Sequence, residues 1–328
     1  MSGESRYSRQ LRLEEVGEQG QRRLGQARVL VVGLGGLGLP AAAYLAGAGI
    51  GHITLLDADV VALHNLHRQV FYRESDVGTP KVVAAARHLR ALNTDITVTA
   101  QQEPLRDANA AALVAAHDVV VDAADSFAVT YLASDACLAG HTYLVSAAIV
   151  GNRGHLGVFC RDAPSYRALF PAVPAAAPDC SSHGVLGTAV GALGLMQAQE
   201  VIKLLLAPES ALVGRLLTVD FWHQRYATLD FGQAEEPAAP LRIATLLPAE
   251  LRPGDQLVDV RSADEMTAAP IAGALHLPDW ENANALQALP TAPGRLVFVC
   301  ASGRRARAAA QRLAAVRGGA AVAVLLRA

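Results

Sequence analysis

The residues best suited to chemistry begin at Arg28-Val29-Leu30-Val31-Val32-Gly33-Leu34-Gly35-Gly36-Leu37-Gly38, where an apolar run ends in closely spaced glycines and passes into an alanine-rich stretch. This reads as a strand, a phosphate loop and a helix. Gly33, Gly35 and Gly38, with Gly36 among them, leave out side chains where a turn must be tight, backbone must approach phosphate and helix must pack on strand. An anion would sit at the helix N-terminus, where unpaired N–H groups and the positive end of the macrodipole converge. Asp57 closes the next apolar run, Ile53-Thr54-Leu55-Leu56, placed to take a ribose hydroxyl. The loop alone fits a nicotinamide cofactor or ATP equally. The polar residues that follow, Asp59, Asn65-Leu66-His67-Arg68-Gln69, Lys81 and Asp122-Ala123-Ala124-Asp125-Ser126, separate the two. Hydride transfer needs no extra cations around a pyrophosphate, whereas attack at an α-phosphate does. Arg68 and Lys81 would neutralise phosphate oxygens as charge builds, and Asp125 would hold magnesium, a hard cation that takes oxygen ligands. Singly, Arg68 or Lys81 reads as a surface charge; together and in this order they are specific.

Elements that could position these groups are legible around them. From Ala27 onward, strand-like runs (Ile96 to Ala100, Val119 to Asp122, Tyr143 to Ser146) alternate with helical ones (Lys81 to Leu92, Asp107 to Ala116), which implies a mostly parallel sheet covered on both faces. After Ala148 the pattern changes to glycine-spaced segments and a Pro/Ala-rich crossing loop. A long apolar helix from Val185 to Leu206 follows, then a closing hairpin, Leu216 to Asp220 and Arg225 to Leu229. Residues 231–240 read as a linker, which divides the chain into units 1–230 and 241–328. The chain has 328 residues, 52% of them hydrophobic and 18% charged, enough for two packed domains and against disorder. A net charge of −2 gives no basic footprint for nucleic acid. No apolar run reaches membrane-spanning length without a charge, Pro or several Gly, and no secretory segment opens the chain, so a cytoplasmic protein without a membrane partner is expected.

The ordered set Arg6-Tyr7-Ser8-Arg9-Gln10, Gly33 to Gly38, Leu55-Leu56-Asp57-Ala58-Asp59, Asn65 to Gln69, Pro80-Lys81 and Asp122 to Ser126 resembles the ThiF/MoeB adenylyltransferases, bacterial relatives of ubiquitin-activating enzymes. The resemblance runs from about Arg6 to Asp230. It implies a Rossmann-like, mostly parallel sheet extended by antiparallel strands. The implied reaction is attack by the C-terminal glycine carboxylate of a ubiquitin-like sulfur-carrier protein ending in Gly-Gly on the α-phosphate of ATP, giving an acyl-adenylate and pyrophosphate. Gly33, Gly35, Gly36 and Gly38 would form the nucleotide loop. Asp57, with Asp59 beside it, would take the ribose; Asn65, Arg68, Gln69 and Lys81 would surround the phosphates; Asp125 would take magnesium. The resemblance also implies a homodimer in which Arg9 reaches the partner's nucleotide site, where the composition of residues 7–26 alone reads as a solvated helical arm.

The chain departs from that family in its cysteines. Relatives hold zinc on two Cys-x-x-Cys pairs; here the first segment reads Ser165-Tyr166-Arg167-Ala168, and residues 210–240 contain no cysteine, so the structural zinc site is expected to be lost. Cys180 occupies the place of a cysteine that some relatives use in thioester, disulfide or relay chemistry, and reads equally as an inert loop thiol. Cys137 and Cys160 read as packing residues. Ser126 replaces a usual Asn, a conservative change.

Residues 241–328 resemble a rhodanese-like domain, a small α/β unit, through Leu257 to Arg261, Ile271 to Pro278 and Cys300-Ala301-Ser302-Gly303-Arg304-Arg305. The resemblance implies that Cys300 carries a persulfide, with Arg305 as the loop arginine and Asp259 a supporting acid, and that sulfur comes from a donor such as a cysteine desulfurase. A usual histidine is replaced by Pro270, and relatives continue past the position of Ala328 into a last helix, so an active and a vestigial domain both remain open. Two other functions are consistent with parts of the pattern: an NAD(P)-dependent oxidoreductase on the same glycine loop, and a scaffold that docks a ubiquitin-like partner without turnover.

Overall fold

A computed structural model describes residues 6–171, 184–238, 243–291, 294–301, 303–317 and 321–325. Cys180 lies outside them. The first unit opens with helix α1 (Gly17–Gln26), then β1 (Arg28–Val32), α2 (Gly38–Ala48), β2 (His52–Leu56), α3 (Lys81–Leu92), β3 (Thr97–Gln101), α4 (Asp107–Ala115), β4 (Val119–Asp122), α5 (Phe127–Ala139) and β5 (Tyr143–Val150). It continues through β6 (Arg153–Phe159), short helix α6 (Tyr166–Leu169), α7 (Gly187–Leu206) and the hairpin β7 (Arg215–Asp220) and β8 (Arg225–Asp230). Together they form one sheet in the order β3-β2-β1-β4-β5-β6-β7-β8. Strands β1 to β5 are parallel and β6 to β8 antiparallel.

Both faces of the sheet are covered, which is why its central strands are continuously apolar rather than alternating. On one face α1, α2, α3 and α7 bury Leu24, Leu45, Leu89 and Val201 against Val29, Val31 and Val121. On the other, α4, α5 and α6 bury Val114, Tyr131 and Tyr166 against Leu30, Val120 and Phe159. Helix α7 is long and apolar enough to cross a membrane by length and composition, but half of it is buried inside the protein. Its Gln197 is fully buried and donates to the Asp122 and Val145 carbonyls at 2.8 and 3.3 Å. It is the helix that backs the strand ends at the centre of the sheet.

The segment read as a linker is docked on this unit: Phe231 is buried against Phe159, and Glu236 accepts from the Ser165 amide at 2.5 Å and the Ser165 hydroxyl at 2.6 Å. A carboxylate–hydroxyl staple therefore stands at Ser165, the start of the segment in which the family resemblance would place cysteines and this chain has none. The neighbouring Arg167 holds Asp135 through two bonds of 2.6 and 3.0 Å.

The second unit comprises β9 (Ala244–Leu246), β10 (Gln256–Asp259), α8 (Ala263–Ala268), β11 (Leu275–His276), α9 (Ala283–Gln287), β12 (Leu296–Val299), α10 (Arg304–Arg317) and β13 (Val322–Leu325). Its sheet, β11-β10-β12-β13-β9, is entirely parallel. The first strand, β9, has no clear sequence signal because it is only three residues long and a single residue separates its end from Pro248. The two units touch where the Thr245 amide donates to Asp107 (2.8 Å) and where Arg106 faces Glu250 (3.6 Å).

Candidate active site

The register aligns Val32 with Leu56 and with Asp122, and Asp122 with Ser146, so the loops after β1, β2 and β4 leave the sheet at one level. Between β1 and β4 the strand order reverses. In open α/β sheets this topological switch point, outside the carboxyl ends of the strands, is where ligands bind. The glycine loop and the Asp122–Ser126 turn flank it.

The glycines do different work. Gly33 has φ +88°, and a Cβ there would stand 2.9 Å from the Ala123 carbonyl. A Cβ on Gly38 would lie 1.9 Å from the Gly33 carbonyl oxygen, so only glycine lets α2 start so close to β1. Gly36 is pressed by Val190 of α7. Gly35 is open: the nearest atom to a Cβ would be Gln69 Nε2 at 3.7 Å. Helix α2 begins without a side-chain cap and without an acid in its first turn, which leaves its N–H groups and dipole directed at an incoming anion.

Asp57 is fixed by the same loop. It accepts the Leu34 amide at 2.7 Å and the Asp59 amide at 2.8 Å. Burial pushes its pKa up, and the Lys81 ammonium 4.0 Å away opposes the shift. Lys81 itself is 6% exposed and bonds Asp59 at 2.8 Å. It reaches the carboxylates because the chain after β2 is laced to the start of α3: the Val61 amide to Thr79, the Gly78 amide to Val61 and the Lys81 amide to Asp59, at 2.8 to 2.9 Å. Asn65 and Gln69 are buried on the intervening turn; Asn65 accepts from Arg68 Nη2 at 3.0 Å, and Gln69 Oε1 has no partner. The first turn of α7 presses on this segment, where a Cβ on Gly187 would meet the His67 carbonyl at 2.5 Å. Asp125 stands exposed on the turn after β4, with its carboxylate open to solvent.

Some of the positioning residues carried no signal of their own. Tyr72 is buried and its hydroxyl donates to the Leu34 carbonyl at 3.1 Å, tying the turn that bears Arg68 to the glycine loop. Asp122, 0% exposed, accepts the Ser146 hydroxyl at 2.8 Å and the Ala124 amide at 3.3 Å, and so sets the turn that carries Asp125. Burial pushes the Asp122 carboxyl up to about 6, against the hydrogen bonds from Thr130, Ser146 and Ala124. A lone carboxylate ending the run Val119-Val120-Val121 was the available clue.

Three site residues expected from sequence, Arg9, Cys300 and Arg305, lie away from this cluster. Arg9 is exposed on the N-terminal arm, which docks at the far end of α2: Gln10 donates to the Ala48 carbonyl at 3.0 Å and Tyr7 accepts from Asn93 at 2.8 Å. Eleven residues of α2, about 16 Å, separate that docking point from the glycine loop of the same chain. Cys300 belongs to the second unit, where it follows β12, is 0% exposed, and accepts the Ala306 amide of α10 on its sulfur at 3.4 Å. Arg305 is clamped by Glu265 through two bonds of 2.7 Å, which holds the Glu265 carboxyl down at about 2. Asp259 pairs with the buried Arg261 at 2.6 Å. Among the described residues no three His, Cys, Asp or Glu side chains cluster as a metal site.

Comparison with known proteins agrees with this architecture. The ThiF family profile matches residues 7–240 and that of the rhodanese-like domain residues 244–326. Among curated relatives, the chain is 43% identical over 267 residues to "Adenylyltransferase and sulfurtransferase MOCS3" of Anopheles gambiae, covering 80% of this chain and 60% of that protein. It is 44% identical over 228 residues to the "SAMP-activating enzyme E1" of Haloferax volcanii, covering 69% of this chain and 84% of that one. Several other MOCS3 proteins match over only about half of their own length, 50% for that of Aedes aegypti. Among solved structures, Escherichia coli MccB with ATP superposes with a TM-score of 0.60 at 22% identity, over 70% of this chain and 72% of that one, a likeness of fold. With its glycine loop, its strand-end polar cluster and its second parallel sheet accounted for, the chain belongs to the ThiF family and carries a C-terminal rhodanese-like domain.

Proposed function

We propose that the protein adenylates the C-terminal glycine carboxylate of a ubiquitin-like sulfur-carrier protein and that its rhodanese-like domain delivers sulfur to the product. The observation that carries this reading is the convergence of Lys81, Asn65, Arg68 and Gln69 on the mouth of an uncapped helix N-terminus beside Asp57. A nicotinamide enzyme has no use for the two cations. The carrier carboxylate oxygen attacks the α-phosphorus, the bond to the bridging oxygen breaks, and pyrophosphate leaves with that electron pair, giving a mixed anhydride with AMP.

In this reading Asp57 accepts the ribose hydroxyl, with Asp59 keeping Lys81 in place until phosphates compete for it. Lys81 and Arg68 stabilise charge that develops on the α-phosphate and the leaving group. Asn65 and Gln69 orient the same oxygens from the turn, Gln69 with its Nε2 donor beside Gly35; the buried, unpartnered Gln69 Oε1 marks a polar demand that a bridging water or the nucleotide would meet. The exposed Asp125 suits magnesium, which is held by one or two carboxylates together with substrate phosphates and retained waters. Bound there, the ion would supply charge neutralisation on the phosphates. Arg9 acts from a second copy of the chain, which makes the enzyme a homodimer; the cytoplasm is the compartment assigned to it.

In the second unit, Cys300 at the head of α10 would hold a sulfane sulfur taken from a donor of the cysteine-desulfurase class. Its burial means that the residues covering the thiol must move for transfer. Cys180 is assigned to sulfur relay only as one of its two readings.

The test is carrier-dependent exchange of labelled pyrophosphate into ATP, using candidate carriers ending in Gly-Gly. Exchange is expected in the wild type and in Cys300→Ala, and should be lost in Arg68→Ala and Asp125→Ala. A folded protein that binds NADH tightly and exchanges no pyrophosphate with any carrier would overturn the assignment.

A further inference from the structure

Between the two units lies a cavity of about 170 Å³, walled by Asp107 of α4, Leu132 and Asp135 of α5, Arg167 of α6, Ile243, and Arg307 of α10. Arg307 is 4% exposed, yet its bonding is incomplete: Nη2 donates to Thr245 Oγ1 at 2.6 Å, while Nε has no partner. A buried guanidinium with five donors ordinarily meets a carboxylate or phosphate in a fork. Among the described residues no carboxylate bonds it: Asp107 and Asp135 line the same cavity and act on it only through their fields. Asp135 is committed to Arg167 by two bonds, and the Arg167 guanidinium also lies 4.6 Å over the Tyr131 ring. Asp107 accepts the Thr245 amide and is otherwise exposed, so water screens its charge. Burial, and after it the field of Arg167, drives the Arg307 guanidinium down to about 10, well below the ordinary arginine range. The site thus holds an under-compensated cation beside open space.

We propose that this cavity binds a small tetrahedral oxyanion, phosphate or sulfate in size and charge, through Arg307, and that the anion joins the two units at their seam. The nucleotide machinery is elsewhere: the cavity is built on the C-terminal half of α5, whereas Asp125 precedes that helix.

The test uses the full chain, titrated with inorganic phosphate and with sulfate against chloride at matched ionic strength, followed by calorimetry and thermal unfolding. Saturable binding of one of the two anions, absent with chloride, is expected. Arg307→Lys, which keeps the charge and loses the fork, should weaken it at least tenfold. Ala111→Leu, which places bulk from the exposed face of α4 into the cavity without touching a charge, should remove it and serves as the deciding variant if Arg307→Lys does not fold. Binding that is indifferent to both substitutions belongs to the glycine loop and overturns the proposal, as does no binding beyond chloride.

Discussion

At the scale of single residues, the site depends on buried charges whose partners are few. Asp122 is the sharpest case. Its carboxyl is raised from 3.8 to about 6 in the folded protein, so the folded state holds the proton more tightly than the unfolded chain. Stability is therefore greatest below about pH 4, falls as pH rises toward 6, and carries the whole penalty above that. Asp122→Asn, which keeps an acceptor for Ser146 but cannot ionise, should remove this slope, a gain of about 1–3 kcal/mol at pH 7 relative to pH 4. Urea unfolding at pH 4, 5, 6 and 7 measures it; parallel curves for the two proteins would rule out the buried ionisation. Lys81 is the converse case, a buried cation whose removal leaves Asp57 and Asp59 facing each other. Lys81→Met should cost about 10²–10³ in adenylation rate, read as the rate of pyrophosphate exchange at saturating ATP.

Elements matter through how closely they approach. Helix α2 can begin where it does only because Gly38 has no side chain, with a Cβ there 1.9 Å from the Gly33 oxygen, while the space beside Gly35 is open. The two glycines should therefore fail differently. Gly38→Ala should destabilise the protein by about 3 kcal/mol or more, because helix and strand must separate. Gly35→Ala should leave the unfolding midpoint close to wild type and raise the KM for ATP, since its methyl stands where phosphate would approach. Equal stability losses for both would mean that the loop is packed rather than open. The sequence spacing identifies this loop, the helix after it and the roles its glycines share out; the contacts with Ala123 and Val190 that enforce them at Gly33 and Gly36 lie distant in the chain. The Ser165–Glu236 staple was illegible for the same reason, since nothing local links a serine after β6 to a glutamate beyond β8.

The whole molecule raises the question of Arg9, held at the end of α2 remote from its own nucleotide loop. If it serves a partner's site, mixing Arg9→Ala with Arg68→Ala subunits should restore function, because the mixed dimer has one site with every group intact. Homodimers of either variant should be inactive, and an equal mixture should recover about a quarter of wild-type exchange. No recovery after subunit exchange, verified by native mass spectrometry, would place Arg9 in its own subunit or outside the reaction.

By itself the sequence determined the α/β alternation, the glycine loop and the chain order of Asp57, Asn65, Arg68, Lys81 and Asp125. These are local: apolar runs, glycine spacing and short motifs depend on neighbours in the chain. Tertiary structure decided what touches across the sheet. It paired Lys81 with Asp59, buried Asp122 under Ser146, locked Arg305 on Glu265 and left Arg307 short of an acceptor. Such pairings join residues distant in the chain, as do the bonds from Gln197 to Asp122, 75 positions apart, and burial makes them energetically consequential, because a low-dielectric interior both strengthens a made contact and penalises a missing one.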